Sequence, residues 1–311
     1  MELEIFVLNY NGSALLIECL PSIVEASKRS RHPCALTVID NDSTDDSLEL
    51  LKNNFRDVKV LRLKNRVLCS FNEAVHQSRA DIVVLLNNDI KVEFDFLDPL
   101  VKVFEDRDDA FLAAPRAETF DGRRYEGGLS KLGFRHGFPW GMTRYPGYEK
   151  KIGLPGLTMA AGFGAFRRSI FLELGGFDDL YLPGTVEDTD LCFRAWKEGY
   201  RSYYAPQSRV YHKGQATFGK HFGSAKLLAI NQRNLCLFVW KNVSDPALLL
   251  SHTILFFPRV FYFLLKGRPE FAWGNAWAFL RMPAALTRRF AQSGRPRRRT
   301  DREIFAVSEG L

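Results

Sequence analysis

Five short clusters carry side chains able to do chemistry. Asn9-Tyr10-Asn11-Gly12, Asp40-Asn41-Asp42-Ser43-Thr44-Asp45-Asp46 and Asn87-Asn88-Asp89 each follow an apolar, strand-forming run. Oxygen ligands at such points suit Mg2+ or Mn2+, which often bridge to substrate phosphates. Asn, Asp and Gly also make ordinary turns and helix caps there, so one such cluster alone decides nothing. The fourth cluster, Glu187-Asp188-Thr189-Asp190, opens the helical pattern Leu191-Cys192-Phe193-Arg194-Ala195-Trp196. Acidic residues in a first turn complement the helix dipole, and Thr185 is spaced from Asp188 like a capping pair. A carboxylate facing a cleft there can instead serve as a general base. The fifth, Val210-Tyr211-His212, is strand-like and ends on a histidine before Lys213-Gly214-Gln215. A lone His is most often structural; with Asp89 in reach it is a candidate second metal ligand.

The elements that must position these groups alternate over the first 115 residues. Strands are expected at Glu2–Leu8, Ala35–Ile39, Val58–Leu63 and Ile82–Leu86. Helices are expected at Ala14–Arg29, Leu48–Asn54 and near Phe71–Gln77. Such alternation predicts an α/β fold with a mostly parallel central sheet flanked by helices. In that architecture ligands bind beyond the carboxyl ends of the strands, where the first three clusters fall.

Residues 116–160 show no clean period and are expected to form a functional loop or lid. A second ordered block runs from Gly162 to about Gly219. Leu227–Trp240 reads as a helix, and Pro246–Phe290 is strongly apolar and aromatic. The division expected is a catalytic domain over 1–225, with halves at 1–115 and 116–225, a helical extension over 226–291, and a mobile basic tail over 292–311.

From Lys241 onward there are 12 Lys/Arg against 5 Asp/Glu, so this segment carries the whole formal net charge of +7. A neutral body with a basic, apolar end predicts an anionic membrane surface rather than nucleic acid as partner. Ala247–Leu265 is nearly long enough to span a bilayer, but Ser251, His252, Pro258 and Arg259 interrupt it. Phe256, Phe257, Phe261, Tyr262, Phe263, Phe271, Trp273, Trp277 and Phe279, with Arg259, Lys266, Arg268 and Arg281, favour an in-plane interfacial helix pair. The competing reading packs these aromatics onto the catalytic domain or into a dimer contact. The five cysteines, at 19, 34, 69, 192 and 236, form no CxxC pair and point to a reducing compartment. No signal-peptide pattern opens the chain, so a cytoplasmic protein at the inner face of the plasma membrane is expected.

The clusters together resemble the family 2 glycosyltransferases of GT-A fold, in particular the bacterial rhamnosyltransferase-like branch. The resemblance runs from about Leu3 to about Phe218. It is carried by Val7-Leu8-Asn9-Tyr10-Asn11-Gly12, Val38-Ile39-Asp40-Asn41-Asp42-Ser43-Thr44-Asp45, Leu85-Leu86-Asn87-Asn88-Asp89, Gly175-Gly176-Phe177-Asp178, Glu187-Asp188-Thr189-Asp190-Leu191-Cys192 and Val210-Tyr211-His212-Lys213-Gly214. It implies an inverting transfer of a sugar from a nucleotide-diphosphate donor to a hydroxyl of a glycan or lipid-linked acceptor, in cell-surface polysaccharide synthesis. Leu8, Tyr10 and Asn11 would line the nucleobase pocket, and Asp40 and Asp42 would accept hydrogen bonds from the base. Asn65, Asn72, Asn87 and Asn88 would complete the donor site. Asp89 would bind Mn2+ or Mg2+ with His212, and Asp188, paired with Glu187, would be the base. The run Gly162–Phe166 resembles the small-residue stretch that lets backbone approach donor or acceptor.

The sequence departs from the family where relatives often carry Asn-x-Gly-Phe: here it reads Asn65-Arg66-Val67-Leu68. Likewise Asn72-Glu73-Ala74 stands for Asn-x-Gly. Valine does not readily take the positive φ that glycine allows, which bears on the turn that contacts the nucleotide. A non-catalytic nucleotide-sugar-binding subunit is the alternative reading, and it predicts a broken base or metal motif. A nucleotidyltransferase would show a basic, Gly-rich phosphate loop, which Asn9-Tyr10-Asn11-Gly12 is not. Arg116, Arg123, Arg124, Arg135, His136 and Trp140 fall in the stretch expected to shape acceptor choice.

Overall fold

A computed structural model describes residues 1–214 and 223–310. Gln215–Gly219, the end of the expected second block and of the family resemblance, therefore lies outside the described residues.

The central apolar runs, Leu3–Asn9 and Ile82–Asn87, are buried on both faces, as parallel strands covered by helices are, while burial falls off toward the edge strand Lys59–Arg62. β1 (Leu3–Asn9), β2 (Cys34–Asp40), β3 (Lys59–Arg62) and β4 (Ile82–Asn87) pair in parallel in the order β4-β1-β2-β3. The crossovers are α1 (Ser13–Arg29), α2 (Ser47–Asn54) and α3 (Ser70–Gln77). Each expected element of this half is present, with ends shifted by at most one residue. Beyond them come β5 (Ile90–Val92), α4 (Leu97–Asp106), β6 (Ala110–Thr119), β7 (Tyr125–Gly127), β8 (Lys131–Arg135), β9 (Phe138–Met142), β10 (Gly156–Thr158), β11 (Gly164–Arg167), α5 (Arg168–Glu173), α6 (Glu187–Lys197) and β12 (Arg201–His212). The sheet continues β10-β12-β6-β11-β4, with β11 antiparallel to both its neighbours and β12 parallel to β6. The stretch 116–160 is thus richer in strand than expected. Its aperiodic sequence hides short strands, and β8 and β9 make a two-stranded sheet of their own.

One core, containing Leu16, Leu20, Ile23, Val84, Leu100 and Phe104, fills the α1/α4 face of the sheet. A second, containing Phe71, Val75, Val83, Phe166, Phe171 and Leu191, fills the face under α3, α5 and α6. The chain then forms α7 (Ser224–Asn242), α8 (Pro246–Leu265), α9 (Pro269–Ala291) and α10 (Asp301–Gly310). These helices share a third core with α6, in which Phe193 and Trp196 pack with Leu237, Phe238, Ala278, Ala285, Ile304 and Phe305.

The expectation of a mobile tail over 292–311 needs correction. Residues 301–310 are a helix whose Ile304 and Phe305 are buried. Asp301 at its start is buried against Lys197 at 2.8 Å and accepts the backbone N–H of Asp245 at 2.7 Å. The Arg-rich composition concealed this anchor because its arginines dock too: Arg295 pairs with Glu198 at 2.7 Å and Arg299 donates to Tyr200 O at 2.9 Å. The expected capping pair is also absent. α6 is preceded by Val186 with φ +73, and no side chain caps it.

Candidate active site

The amide-rich ends of β1 and β4 are stitched together. The Nδ2 of Asn88 donates to Oδ1 of buried Asn9 at 2.7 Å, and Nδ2 of Asn9 donates to Ser43 Oγ at 3.3 Å. Gly12 is required here, since a Cβ on it would lie 2.0 Å from Asn88 Nδ2. Asn11, at φ +46, accepts the N–H groups of Thr44 and Asp45 at 2.7 and 3.3 Å. Asp45 in turn accepts Ser13 N–H at the start of α1, at 3.0 Å. Asn11 and Asn88 therefore tie these strand ends together with their own amides. Leu8 is buried at the end of β1, and Tyr10 and Asn87 are half-buried beside it.

Asp40 is fully buried. Its Oδ2 accepts Ser43 N–H at 3.3 Å, while Oδ1 is buried with no partner. An orphaned buried acceptor is costly, and a donor N–H such as that of a nucleobase would satisfy it. Asp42 turns the chain after it at φ +67 and is exposed. The neighbouring Asn41 donates to Asn65 Oδ1 at 3.1 Å and accepts Ser70 Oγ–H at 2.6 Å, which seats the 65–69 loop over this strand end. In that loop Val67 adopts φ +51. The backbone thus takes the glycine-type turn despite the valine, at a strain on the order of 1–3 kcal/mol. Asn72, expected among the donor-binding residues, is engaged elsewhere: both its amide atoms bond the backbone N–H and C=O of Phe177, at 2.9 and 2.8 Å.

Asp89 and His212, distant in sequence, meet because β5 pairs antiparallel with β12 and sets His212 opposite Ile90. His212 Nε2 lies 3.5 Å from Asp89 Oδ2, and His212 Nδ1 lies 3.0 Å from Glu126 Oε2. Glu126, on β7, was not foreseen, because the aperiodic stretch containing it gave no signal. An Nδ1–H donated to Glu126 leaves the Nε2 lone pair turned toward Asp89, as metal-binding histidines are commonly oriented. Burial opposes a charged ring, but the Asp89 and Glu126 carboxylates outweigh it and raise the His212 pKa above its usual value. Asp89 Oδ1 is buried without a partner. These groups fit a hard cation. Among the described residues no three His, Cys, Asp or Glu side chains enclose an ion, so a bound cation would complete its shell with donor oxygens and water.

Asp188 and His212 line one cleft of about 580 Å3. Gly162, Glu126, Lys131, Met142, Arg144 and Leu235 also border it; Arg116, Arg123, Arg124, Arg135, His136 and Trp140 do not. Asp188 Oδ1 accepts the N–H of Thr189 at 2.7 Å. Burial raises its pKa, toward the range useful to a base near neutrality. Glu187 is buried with Oε2 unpartnered. Burial first, then the Asp188 carboxylate, raises its pKa to about 8. Glu187 is thereby held mainly in its neutral form at pH 7. Because the folded-state pKa lies above the unfolded value, Glu187 costs stability as pH rises from about 4.3 to 8. Glu187→Gln is expected to flatten that decline: melting temperatures at pH 5 and pH 8 should lie closer together than in the wild type, and an unchanged gap would refute the assignment.

The backbone entering Glu187 and Asp188 is strained, with φ of +71 at Thr185 and +73 at Val186. Buried Asn234 of α7 clamps it by donating to the carbonyls of Tyr181, Gly184 and Thr185 at 2.7–2.9 Å. Arg233 donates to Leu182 O at 2.6 Å. Asp190 is wholly buried between Lys241, at 2.7 and 2.8 Å, and Arg194, at 2.8 Å. Burial alone would raise its pKa, but these two cations hold it well below the carboxylate range. Polar residues inside an otherwise apolar helix were the available signal for Arg233, Asn234 and Lys241.

The curled, mostly parallel sheet with its acidic strand ends, its Asp–His pair and a carboxylate at the cleft defines a nucleotide-sugar transferase architecture of GT-A type. The chain belongs to the family described as Glycosyl transferase family 2, whose profile matches residues 4–175. It is 24% identical over 217 residues to the O-antigen chain rhamnosyltransferase WbaN of Salmonella anatum, a match covering 66% of this chain and 65% of that protein. The solved structure of GalNAc-T7 with UDP, GalNAc and Mn2+ shares the fold at a TM-score of 0.59 and 19% identity, over 79% of this chain and 48% of that one. The mannosyltransferase PcManGT from Pyrobaculum calidifontis, in complex with GDP-Man and Mn2+, gives 0.53 and 16%, over 94% and 76%. The chain thus spans just under two thirds of the rhamnosyltransferase and about half of GalNAc-T7.

Proposed function

We propose that this chain transfers a sugar, with inversion, from a nucleotide-diphosphate donor to a hydroxyl of a glycan or lipid-linked acceptor in cell-surface polysaccharide synthesis. The observation that carries the reading is the opening of Asp188 and His212, the latter beside Asp89, into one cleft. Asp40 and the stitched strand ends receive the nucleoside. Asp89 and His212 hold a divalent cation, Mn2+ or Mg2+, which when bound neutralises charge on the departing diphosphate. Asp188 accepts the proton of the acceptor hydroxyl as the bond to the sugar forms. A base on the face opposite the leaving group gives inversion. Glu187, protonated, keeps a second negative charge away from the anionic donor. A panel of nucleotide sugars is the test. One donor should give Mn2+-dependent transfer or hydrolysis, lowered roughly 100-fold or more by Asp89→Ala, since removing a charge-stabilising group costs about that much. Activity indifferent to both metal and Asp89 would refute the metal role.

The same reading places the enzyme in the cytoplasm, at the inner face of the plasma membrane. α8, 20 residues long, reaches a mean hydropathy of 1.7 over an 18-residue window and is long and apolar enough to span. Its His252 and Phe256 are nevertheless buried; His252 Nδ1 lies 2.8 Å from Gly137 O at the β8–β9 tip. The opposite face exposes Phe257 at 70%, Phe261 at 63% and Leu265 at 72%, and α9 adds Leu280 at 81%. One face packed and one bare favours lying in the interface, with Lys266 and Arg268 toward anionic headgroups. Combined replacement of Phe257, Phe261 and Leu265 by Ser is expected to cut flotation with anionic liposomes at least about tenfold, given roughly 1.5–3 kcal/mol per buried large apolar side chain. Undiminished flotation would sink the membrane reading.

A further inference from the structure

We propose that Arg288 of α9 is a positioning residue for the 65–69 loop, acting through Asp179 and Arg66. Arg288 Nη2 lies 2.6 Å from Asp179 Oδ1, and the other oxygen of that carboxylate lies 2.9 Å from Arg66 Nη2. One carboxylate is therefore shared by a guanidinium of the C-terminal helices and a guanidinium of the loop. Arg288 is itself fixed, because its Nε lies 2.7 Å from Asp178 Oδ1, whose partner oxygen lies 2.7 Å from buried Lys241.

Isolated surface ion pairs contribute little, but networks with fixed geometry are the exception. The loop this network reaches is poised uphill, with Val67 at φ +51, and is otherwise held by Asn41, Asn65 and Ser70. A modest tether is enough to shift such a loop between closed and open, and the effect falls locally rather than on global stability. The same loop sits against the end of the strand that carries Asp40, since the next residue, Asn41, donates to Asn65 Oδ1 at 3.1 Å and to Val67 O at 3.4 Å. Residues outside the family-matched segment would in this way set the donor-side loop.

Hydrogen exchange on the full chain tests the relay without any activity. Arg288→Ala and Asp179→Asn should each speed exchange at residues 65–70 about fivefold while β1 and β4 keep wild-type protection, and Arg288→Lys should recover part of the loss. Adding Arg288→Ala to Arg66→Ala should change the loop no further, because both break one path. Faster exchange confined to α9, spread over the whole sheet, or additive in the double variant overturns the proposal. Its consequence for the donor rests on the reading above and is measured separately. UDP and GDP, each with Mn2+, are titrated against the same variants, with an expected loss of about fivefold in affinity for whichever binds. Loop exchange that responds as stated, in a protein that binds neither nucleotide, would leave the relay standing and count against the donor reading.

Discussion

Asp188→Asn is expected to lower the transfer rate by about 10²–10⁴-fold while leaving nucleotide affinity within about twofold, the range associated with loss of a positioned general base. The two measurements separate because Asp188 lines the cleft, whereas the groups proposed to receive the nucleoside sit at the ends of β1, β2 and β4. Asparagine keeps the size of the side chain and can still accept Thr189 N–H, so the start of α6 should hold its shape. What it loses is proton affinity. A single-turnover rate with saturating donor and acceptor is the appropriate readout, and near-wild-type turnover would remove Asp188 from the role. Glu187 is a poor substitute: it is buried, neutral at pH 7 and absent from the cleft lining.

Lys241→Met is expected to cost about 3–5 kcal/mol of stability, the penalty for leaving a buried charge without its partner. The melting temperature should fall by roughly 10 °C, at about 2–4 °C per kcal/mol for a chain somewhat smaller than this one. Lys241 has no exposed side-chain surface and bridges Asp190 and Asp178. Its removal leaves Asp190 with Arg194, Tyr181 and Asn242 only. The pH dependence identifies the cause. Asp190 has a depressed folded-state pKa, so its contribution is fully present above the unfolded value near 3.9 and is lost only as pH falls through the folded one. The deficit of the variant should therefore be largest above about pH 5 and shrink in acid, where the stranded carboxylate takes up a proton. A deficit independent of pH would point to lost packing instead.

Both predictions concern the same four residues, Glu187 to Asp190, and they show how far such a motif can be read. Its acids look alike in sequence, yet one faces a cleft, one is buried and neutral, and one is locked in a structural ion cluster. The amides were similarly ambiguous. Asn11, Asn65, Asn72 and Asn88 were all expected to touch the donor. Asn72 instead holds Phe177, and the other three spend hydrogen bonds on the loops and strand ends around the site. Asn and Asp bond to backbone as readily as to ligand, so composition cannot tell the two uses apart.

The sequence by itself determined the alternating α/β half, because apolar runs buried on both faces of a parallel sheet leave a local signature. It also located the polar strand ends, and motif order singled out Asp89, Asp188 and His212 as candidates. Tertiary structure alone decided that β5 pairs with β12, which brings His212 to Asp89 and Glu126 to His212. It alone decided that the C-terminal helices share a core with α6 and that the last helix is docked. These are long-range pairings between aperiodic or amphipathic segments. Their partners are chosen by shape and charge in three dimensions, which no local period records.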